Sequence, residues 1–395
     1  MSGAASAPAS VLIVGASAAG LATAEALRRR GYPGALTVLG AEPHPPYDRP
    51  PLSKQLLAGH WDAARTRLRA PAALAALSAD FLLGDPAVAL DAADRTVHTA
   101  AGRTLRADRV VIATGLRPRA LPGRPRPAGV HPLRTLDDAL ALRAALRPAT
   151  RLVVVGDGVL GSEVAATAAT AGDLDVTLVG PRPAPMAGQL GPVVAAELAA
   201  LHTEHGVRLR PGSAVVGLTE ADGRVTGVRL ATGAVLPADV VVLAIGAEPN
   251  TAWLAGSGLR IADGVVCDAH CRAADGVYAA GDVARWHHLG FDRLVRWENR
   301  ANATEQALAV AGALLGDERP YRPVPSTWTD QFDARLQLHG LPAAGDTVTI
   351  AEGAIAERRF VAVYRRGDTV TGVLGWNMPK QARLLRHHLT PTPAS

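Results

Sequence analysis

Cysteine is almost missing from this sequence: Cys267 and Cys271 are the only two in 395 residues. That scarcity excludes a disulfide framework and a cysteine-rich metal site. The pair lies in Gly264-Val-Val-Cys-Asp-Ala-His-Cys-Arg, a strand-like run whose successive side chains face opposite sides. No activated thiolate pair is expected there, nor a metal site completed by His270, and the two thiols read as buried and inert. Aromatic residues make up only 4% of the chain, and no dense Lys/Arg run carries interleaved aromatics. The formal charge of +5 and isoelectric point near 9.7 therefore do not describe a nucleic-acid surface. No uncharged apolar run approaches the roughly 18 residues needed to cross a membrane, and the N-terminal stretch 1–10 lacks the basic segment of a signal peptide. A cytoplasmic protein with no nucleic-acid or membrane partner is the expectation. Otherwise the composition is that of an ordinary folded chain, 48% hydrophobic and 19% charged, rich in Ala, Arg, Gly and Pro. Its length calls for two or three domains.

The most informative stretch is Val11-Leu-Ile-Val-Gly15-Ala-Ser17-Ala18-Ala19-Gly20, running on into Leu21-Ala-Thr-Ala-Glu-Ala-Leu. Four apolar β-formers end in a small-residue turn that opens a helix, the pattern of a dinucleotide-binding βα unit. Gly15 permits the tight turn. The small Ser17, in place of the usual middle glycine, lets backbone amides approach a pyrophosphate, and Gly20 lets the helix pack on its strand. A second unit, Arg151-Leu-Val-Val-Val-Gly156-Asp-Gly158-Val159-Leu160-Gly161-Ser-Glu163, carries all three glycines in G-x-G-x-x-G spacing. One such turn alone can be mere punctuation after a strand; two imply two nucleotides. Glu42 follows the strand-like Ala35-Leu-Thr-Val-Leu39, where a carboxylate accepts hydrogen bonds from a ribose. No repeat beyond these units is present, and low complexity is confined to residues 1–10 and the Pro-rich 121–127.

Next comes Pro45-Pro-Tyr47-Asp-Arg49-Pro-Pro-Leu-Ser53-Lys54, too rich in proline for a helix or central strand until its end, where Ser53 is placed to cap a short helix. Coming after a glycine-rich βα unit, this stretch resembles the FAD-dependent ferredoxin reductases that serve cytochrome P450s and aromatic-ring oxygenases, a branch of the glutathione-reductase-like flavoproteins. The resemblance places Arg49 and Lys54 against the FAD, where a cation stabilises the anionic reduced ring. It continues through Val110-Val-Ile-Ala113-Thr114-Gly115, similar to the segment that closes the family's first FAD stretch, and through its echo Asp239-Val-Val-Val-Leu-Ala-Ile-Gly246 at the return crossing. Val277-Tyr-Ala-Ala-Gly281-Asp282 resembles the strand end that sets an aspartate on the ribityl chain, with Asp282 also placed to cap a following helix. Arg296-Trp-Glu298-Asn-Arg300-Ala-Asn302-Ala-Thr-Glu-Gln306 resembles the family's helix at the flavin; Glu298, Asn302 and Gln306 match, and Arg300 stands where a tryptophan is usual. Val324-Pro-Ser-Thr-Trp328-Thr-Asp330 resembles the element that closes over the flavin from a small C-terminal domain.

The resemblance implies an α/β fold of glutathione-reductase type, with two Rossmann-like dinucleotide-binding domains and a small C-terminal α+β domain. The FAD-binding part would take residues 10–112 and 236–318, the NAD(P)H-binding part 113–235, and the C-terminal domain 319–395. In the last, residues 336–340, 359–364 and 370–375 read as antiparallel strands and 380–389 as an amphipathic helix. The FAD site then comprises Gly15, Ser17, Ala18, Ala19, Gly20, Glu42, Arg49, Lys54, Ala113, Thr114, Gly115, Gly281, Asp282, Glu298, Arg300 and Trp328. The NAD(P)H site comprises Gly156, Gly158, Val159, Leu160, Gly161, Glu163, Gly180, Arg182 and Gly246. Lys54 and Glu163, the latter near the nicotinamide, are the candidate catalytic residues. No metal ligand is expected. An acid at the end of Val176-Thr-Leu-Val179 would bind the ribose of NADH, but Gly180 stands there with Arg182 beyond it. Room for a 2′-phosphate and an arginine to pair with it predict that NADPH is accepted at least as well as NADH.

The implied activity is electron transfer from NADH or NADPH through FAD to a small acidic iron–sulfur ferredoxin that supplies a cytochrome P450 or similar oxygenase. Arg300 is expected to attract that acidic partner. A disulfide reductase needs a cysteine pair beside its flavin, and no cysteine precedes residue 267. The alternative is a flavin- and NAD(P)H-binding redox-sensing protein of the apoptosis-inducing-factor type. The sequence leaves the oligomeric state open.

Overall fold

A computed structural model describes residues 7–121 and 126–389 of the chain. Most of the Pro-rich segment 121–127, part of the N-terminal stretch 1–10 and the end of the expected C-terminal domain lie outside the described residues. Two parallel sheets form the body. In the first, the strand order runs Arg272–Ala274, Val277–Ala279, Arg109–Ile112, Ser10–Val14, Ala35–Gly40, Asp80–Leu83. All neighbours are parallel except the first pair. In the second, Arg208–Arg210, Asp175–Val179, Arg151–Val155, Val240–Leu243 and Val130–Pro132 are parallel throughout. Their central strands are continuous Val/Leu/Ile runs because both faces are covered; Val11 to Val14 and Leu152 to Val155 are all buried.

The two βα turns have the same geometry. Gly15 has φ +122°, and a Cβ there would sit 2.2 Å from the Ala113 carbonyl oxygen; Gly156 has φ +117°, with the Ala244 carbonyl oxygen at the same 2.2 Å. At Gly20 and Gly161 a Cβ would lie 1.8 Å from the Gly15 and Gly156 carbonyl oxygens respectively. Only hydrogen fits at these four positions, which is why the spacing is legible in sequence. Helices Ala18–Arg29 and Val159–Thr170 start from these turns.

The return crossing differs from the expected boundary at 236. Val240–Leu243 pairs with Arg151–Val155, as Arg109–Ile112 pairs with Ser10–Val14, so the chain remains in the second sheet through residue 243. The two crossing segments, Leu116–Pro118 and Ala247–Pro249, then pair with each other as a short antiparallel ribbon.

The C-terminal part is a five-stranded antiparallel sheet in the order Ser326–Gln331, Ala334–Gly340, Thr369–Trp376, Arg359–Arg366, Thr347–Ala354. One face packs on helix Ala187–Glu204 of the second body, burying Leu190, Val194 and Leu198 against Leu336, Phe360, Tyr364 and Trp376. That helix is broken at Gly191 (φ 71°, ψ 171°), just before Pro192, and the Tyr364 hydroxyl donates to the Leu190 carbonyl at 2.7 Å. The closing helix is shorter than expected, Pro379–Leu385, and continues as a tighter turn over Arg386–Leu389.

The cysteine segment is also more broken than expected. A strand ends at Cys267, and a turn with Cys271 at φ 62° leads into Arg272–Ala274. Both thiols are buried, and burial pushes Cys271 up to about 12 and Cys267 well above the usual thiol range.

Candidate functional site

Glu42, Arg49, Arg134 and Asp282 form a cluster of charges. Glu42 accepts from Arg49 Nη2 at 2.7 Å and from the Tyr47 hydroxyl. Arg49 Nη1 donates to the Arg134 carbonyl at 2.6 Å and to the Tyr47 oxygen at 3.0 Å. Arg134 lies between Gly115 and Asp282: its Nη2 is 3.4 Å from Asp282 Oδ2, and a Cβ on Gly115 would meet it at 3.2 Å. Its Nε is buried and has no hydrogen-bond partner among the described residues. Burial, then the neighbouring Arg49, lowers the Arg134 guanidinium from its ordinary value. With Arg49 held by Glu42, Arg134 is left with a single carboxylate at 3.4 Å and an orphaned donor, which makes a site for an anion, and the residues fit the phosphate-bearing dinucleotide that the Gly15–Gly20 turn calls for.

A second cluster joins three parts of the chain. Lys54 Nζ lies 2.6 Å from Glu163 Oε2, with side-chain exposures of 10% and 7%. Ser53 Oγ donates to the same Glu163 oxygen at 2.6 Å, and Thr329 Oγ1 donates to Oε1 at 2.8 Å. Gln331 Nε2 donates to Thr329 Oγ1 at 3.1 Å, and its Oε1 lies 2.8 Å from His202 Nε2. Trp328 covers the lysine, the ammonium 5.1 Å from its ring centroid, and keeps 37% of its surface exposed. Ser53 is therefore not the helix cap expected of it. It ends the single turn Pro50–Ser53 and spends its hydroxyl on Glu163.

Other expected residues fall differently. No helix follows Gly281-Asp282; the chain enters the strand Ala284–His288, so Asp282 caps nothing. Glu298 precedes its helix, Arg300–Leu314, which Asn299 caps, and pairs with Arg296 at 2.6 Å. Asn302 and Gln306 face inward: Asn302 bonds the Trp297 carbonyl and Tyr321, while Gln306 accepts from the Gly281 amide at 2.9 Å and donates to Cys271. Arg300 is not a free cation at the surface. Its Nε lies 2.5 Å from Asp48 Oδ1 and its Nη1 bonds Thr304.

At the second turn, Gly158 is the N-cap of helix Val159–Thr170, so Val159, Leu160 and Gly161 form its first turn, and Gly246 lies on the crossing ribbon's approach. The space beside Gly180 is not open. A Cβ there would lie 2.3 Å from the Asp157 carboxylate, whose two oxygens accept from the Arg182 amide and guanidinium, each at 2.8 Å. Arg134, Tyr47, Asp48, Asp157 and Thr329 are not among the candidate site residues; Arg134 lies in no motif, the other four lie within the quoted ones with no role of their own, and each meets its partner only through folding.

The pyridine nucleotide-disulphide oxidoreductase family model matches residues 9–307, and a reductase C-terminal model matches 326–392. The chain is 37% identical to rhodocoxin reductase of Rhodococcus erythropolis, over 94% of this chain and 87% of that one. It is 38% identical to a putidaredoxin reductase of Pseudomonas putida, over 93% and 89%. Its structure is similar to that of putidaredoxin reductase in the covalent complex with putidaredoxin, with a TM-score of 0.92, 36% identity and coverage of 98% and 94%. A ferredoxin reductase from Rhodopseudomonas palustris gives the same TM-score at 34% identity, over 98% and 96%.

Proposed function

Because the chain belongs to the pyridine nucleotide-disulphide oxidoreductase family and also carries a reductase C-terminal domain, we propose that it takes electrons from NAD(P)H onto non-covalent FAD and passes them to a small acidic iron–sulfur ferredoxin of a cytochrome P450 or similar oxygenase. The observation that carries this reading is the buried Lys54–Glu163 pair. Lys54 comes from the stretch after the first nucleotide turn and Glu163 from the helix of the second, so the two nucleotide sites share one ion pair.

In this reading, the turn formed by Gly15, Ser17, Ala18, Ala19 and Gly20 would hold the phosphates of FAD, Glu42 would accept from a ribose, and Arg49, Arg134, Gly115 and Asp282 would complete the site. The Gly156–Gly161 turn would hold the nicotinamide coenzyme. A bound flavin accepts a hydride's two electrons together and releases them one at a time, which couples NAD(P)H to a one-electron iron–sulfur centre. Lys54 supplies a cation where negative charge gathers. Glu163 fixes that lysine, Ser53 and Thr329 fix Glu163, and Trp328 shields the lysine from water on the open side. With both cysteines buried elsewhere, the electrons leave at this open edge, where Trp328, Asp330, Arg335, Gln337 and Arg383 line a shallow concavity. The relatives' names, all reductases, fit this reading better than a redox-sensing protein.

The test is direct. Purified protein should be yellow, should bleach anaerobically with NADH or NADPH, and should turn over with some member of a panel of ferredoxins. A protein that takes up no flavin even on reconstitution, or is reduced by neither coenzyme, refutes the reading.

A further inference from the structure

In a dinucleotide fold the residue ending the second strand faces the adenosine ribose, and a carboxylate there favours NADH. In the second sheet that strand, Asp175–Val179, is followed directly by Gly180. The place a side chain would take is filled from the turn itself, by the carboxylate of Asp157. This carboxylate cannot serve a ribose in the usual way. It is 6% exposed, and Arg182 occupies both oxygens, through its amide on Oδ2 and through Nη1 on Oδ1. The guanidinium lies outermost, 44% exposed, and among the described residues its Nε and Nη2 have no hydrogen-bond partner.

The surroundings keep the arginine in that pose. A Cβ on Gly188 would lie 3.1 Å from Arg182 Nε, so the absent side chain leaves the guanidinium its room. The Gly212 and Ser213 amides donate to the Arg182 and Gly180 carbonyls at 2.9 Å, tying the loop to the chain after Arg208–Arg210. Arg210, in register with Val179, is exposed and forms no ion pair among the described residues. The acid is thus turned inward and neutralised, and donors suited to a dianion face outward.

We infer that Asp157 is a positioning residue that holds Arg182 for the 2′-phosphate of NADPH, so that the site selects NADPH over NADH. The inference rests on the reading that the Gly156–Gly161 turn takes the nicotinamide coenzyme. It replaces the simpler expectation of open space at Gly180 with a wired pair.

The test titrates the flavin-loaded protein with 2′,5′-ADP and with 5′-AMP by calorimetry, beside kcat/KM for both coenzymes with ferricyanide as acceptor. The 2′-phosphate ligand should bind about tenfold or more tightly than 5′-AMP, as a charge-assisted contact allows. Arg182→Ala should erase that difference with 5′-AMP affinity held within about twofold, since the phosphate contact alone is removed. Asp157→Asn should narrow the difference about threefold or more and raise KM for NADPH with kcat unchanged, as loss of a positioning contact does. Equal affinity for the two ligands in the unaltered protein overturns the inference. So does an Arg182→Ala protein in which both ligands weaken alike, and a preference that survives in Asp157→Asn overturns the role of Asp157. Should Asp157→Asn fail to fold, the half-exposed Arg182→Ala still decides selection. Failure of both coenzymes to reduce the flavin would count against the reductase reading, while the ligand titration would continue to judge this site.

Discussion

Glu163 shows how much one carboxylate can be asked to hold. It receives Lys54 and Ser53 on one oxygen and Thr329 on the other, with Ser53 and Thr329 buried and the lysine 10% exposed. Removing one partner of such a pair strands the other charge, at about 3–5 kcal/mol, so Lys54→Ala should lower the midpoint of thermal unfolding and slow flavin reduction. Adding Glu163→Gln should recover part of the stability but not the rate; stopped-flow reduction beside a melting curve separates the two. A Lys54→Ala protein reduced at the normal rate would take the lysine out of the chemistry. His202, at the far end of the same network, gives a second expectation. Burial holds its imidazole down to about 4. The unfolded chain therefore takes up the proton first as pH falls, so stability is complete above about 6.5 and declines toward 4, by at most about 3 kcal/mol. Burial, with Arg386 and Arg383 nearby, lowers His339 to about 4 as well and adds in the same direction. Denaturant unfolding at pH 7.5 and pH 5 reads this loss, and His202→Gln, which keeps an amide for Gln331, should shrink it.

The broken helix Ala187–Glu204 is the element on which the C-terminal sheet rests. Gly191 sits at φ 71°, ψ 171°, a region other residues enter at about 1–3 kcal/mol. Gly191→Ala is expected to destabilise by that order, and Tyr364→Phe, which frees the Leu190 carbonyl, by about 1 kcal/mol; equilibrium unfolding measures both. The sequence reveals the βα turns because their requirement is local: Gly15 and Gly20 are forced by backbone atoms within the turn and one neighbouring strand. Composition and spacing also expose the buried parallel strands and the absence of an early thiol pair. The network around Glu163 is invisible there, because Ser53, Glu163 and Thr329 lie more than 100 positions apart and meet only once three bodies are assembled. Arg300 misled for the same reason. Its partner Asp48 is 252 positions away, so a paired arginine reads as a free one. Gly180 looked empty because an acid supplied by the preceding turn leaves no trace at the strand's end.

Across the whole molecule, the formal charge of +5 favours an acidic partner. With Arg300 neutralised by Asp48, the cations at the open edge are Arg335, itself paired with Asp330, and Arg383, exposed and with no ion pair among the described residues. Charge attraction of this kind is screened over about 10 Å at 0.1 M salt. The KM for an acidic ferredoxin should therefore rise with ionic strength, and Arg383→Glu should raise it further at low salt while ferricyanide reduction is unchanged. Arg300→Glu should instead lower stability, since it sets two acids side by side. Equal loss of both activities in Arg383→Glu would move the docking face elsewhere.

The orphaned Nε of Arg134, buried beside Arg49, reaches beyond catalysis to how the protein is made in a cell. Until an anion arrives, Arg134 has only Asp282 at 3.4 Å and a buried Nε with no hydrogen-bond partner among the described residues, so the bare chain should be the weaker one and the ligand should act as its folding partner. At a free concentration 100 times its Kd, a ligand of the native state adds about 2.7 kcal/mol. Vitamin supply would then set abundance: cells starved of riboflavin should accumulate less intact protein, and FAD added to a refolding mixture should restore the yield. Arg134→Met should make the bare chain more stable than its parent and blunt the gain on adding FAD, which parallel melting curves with and without the dinucleotide would register.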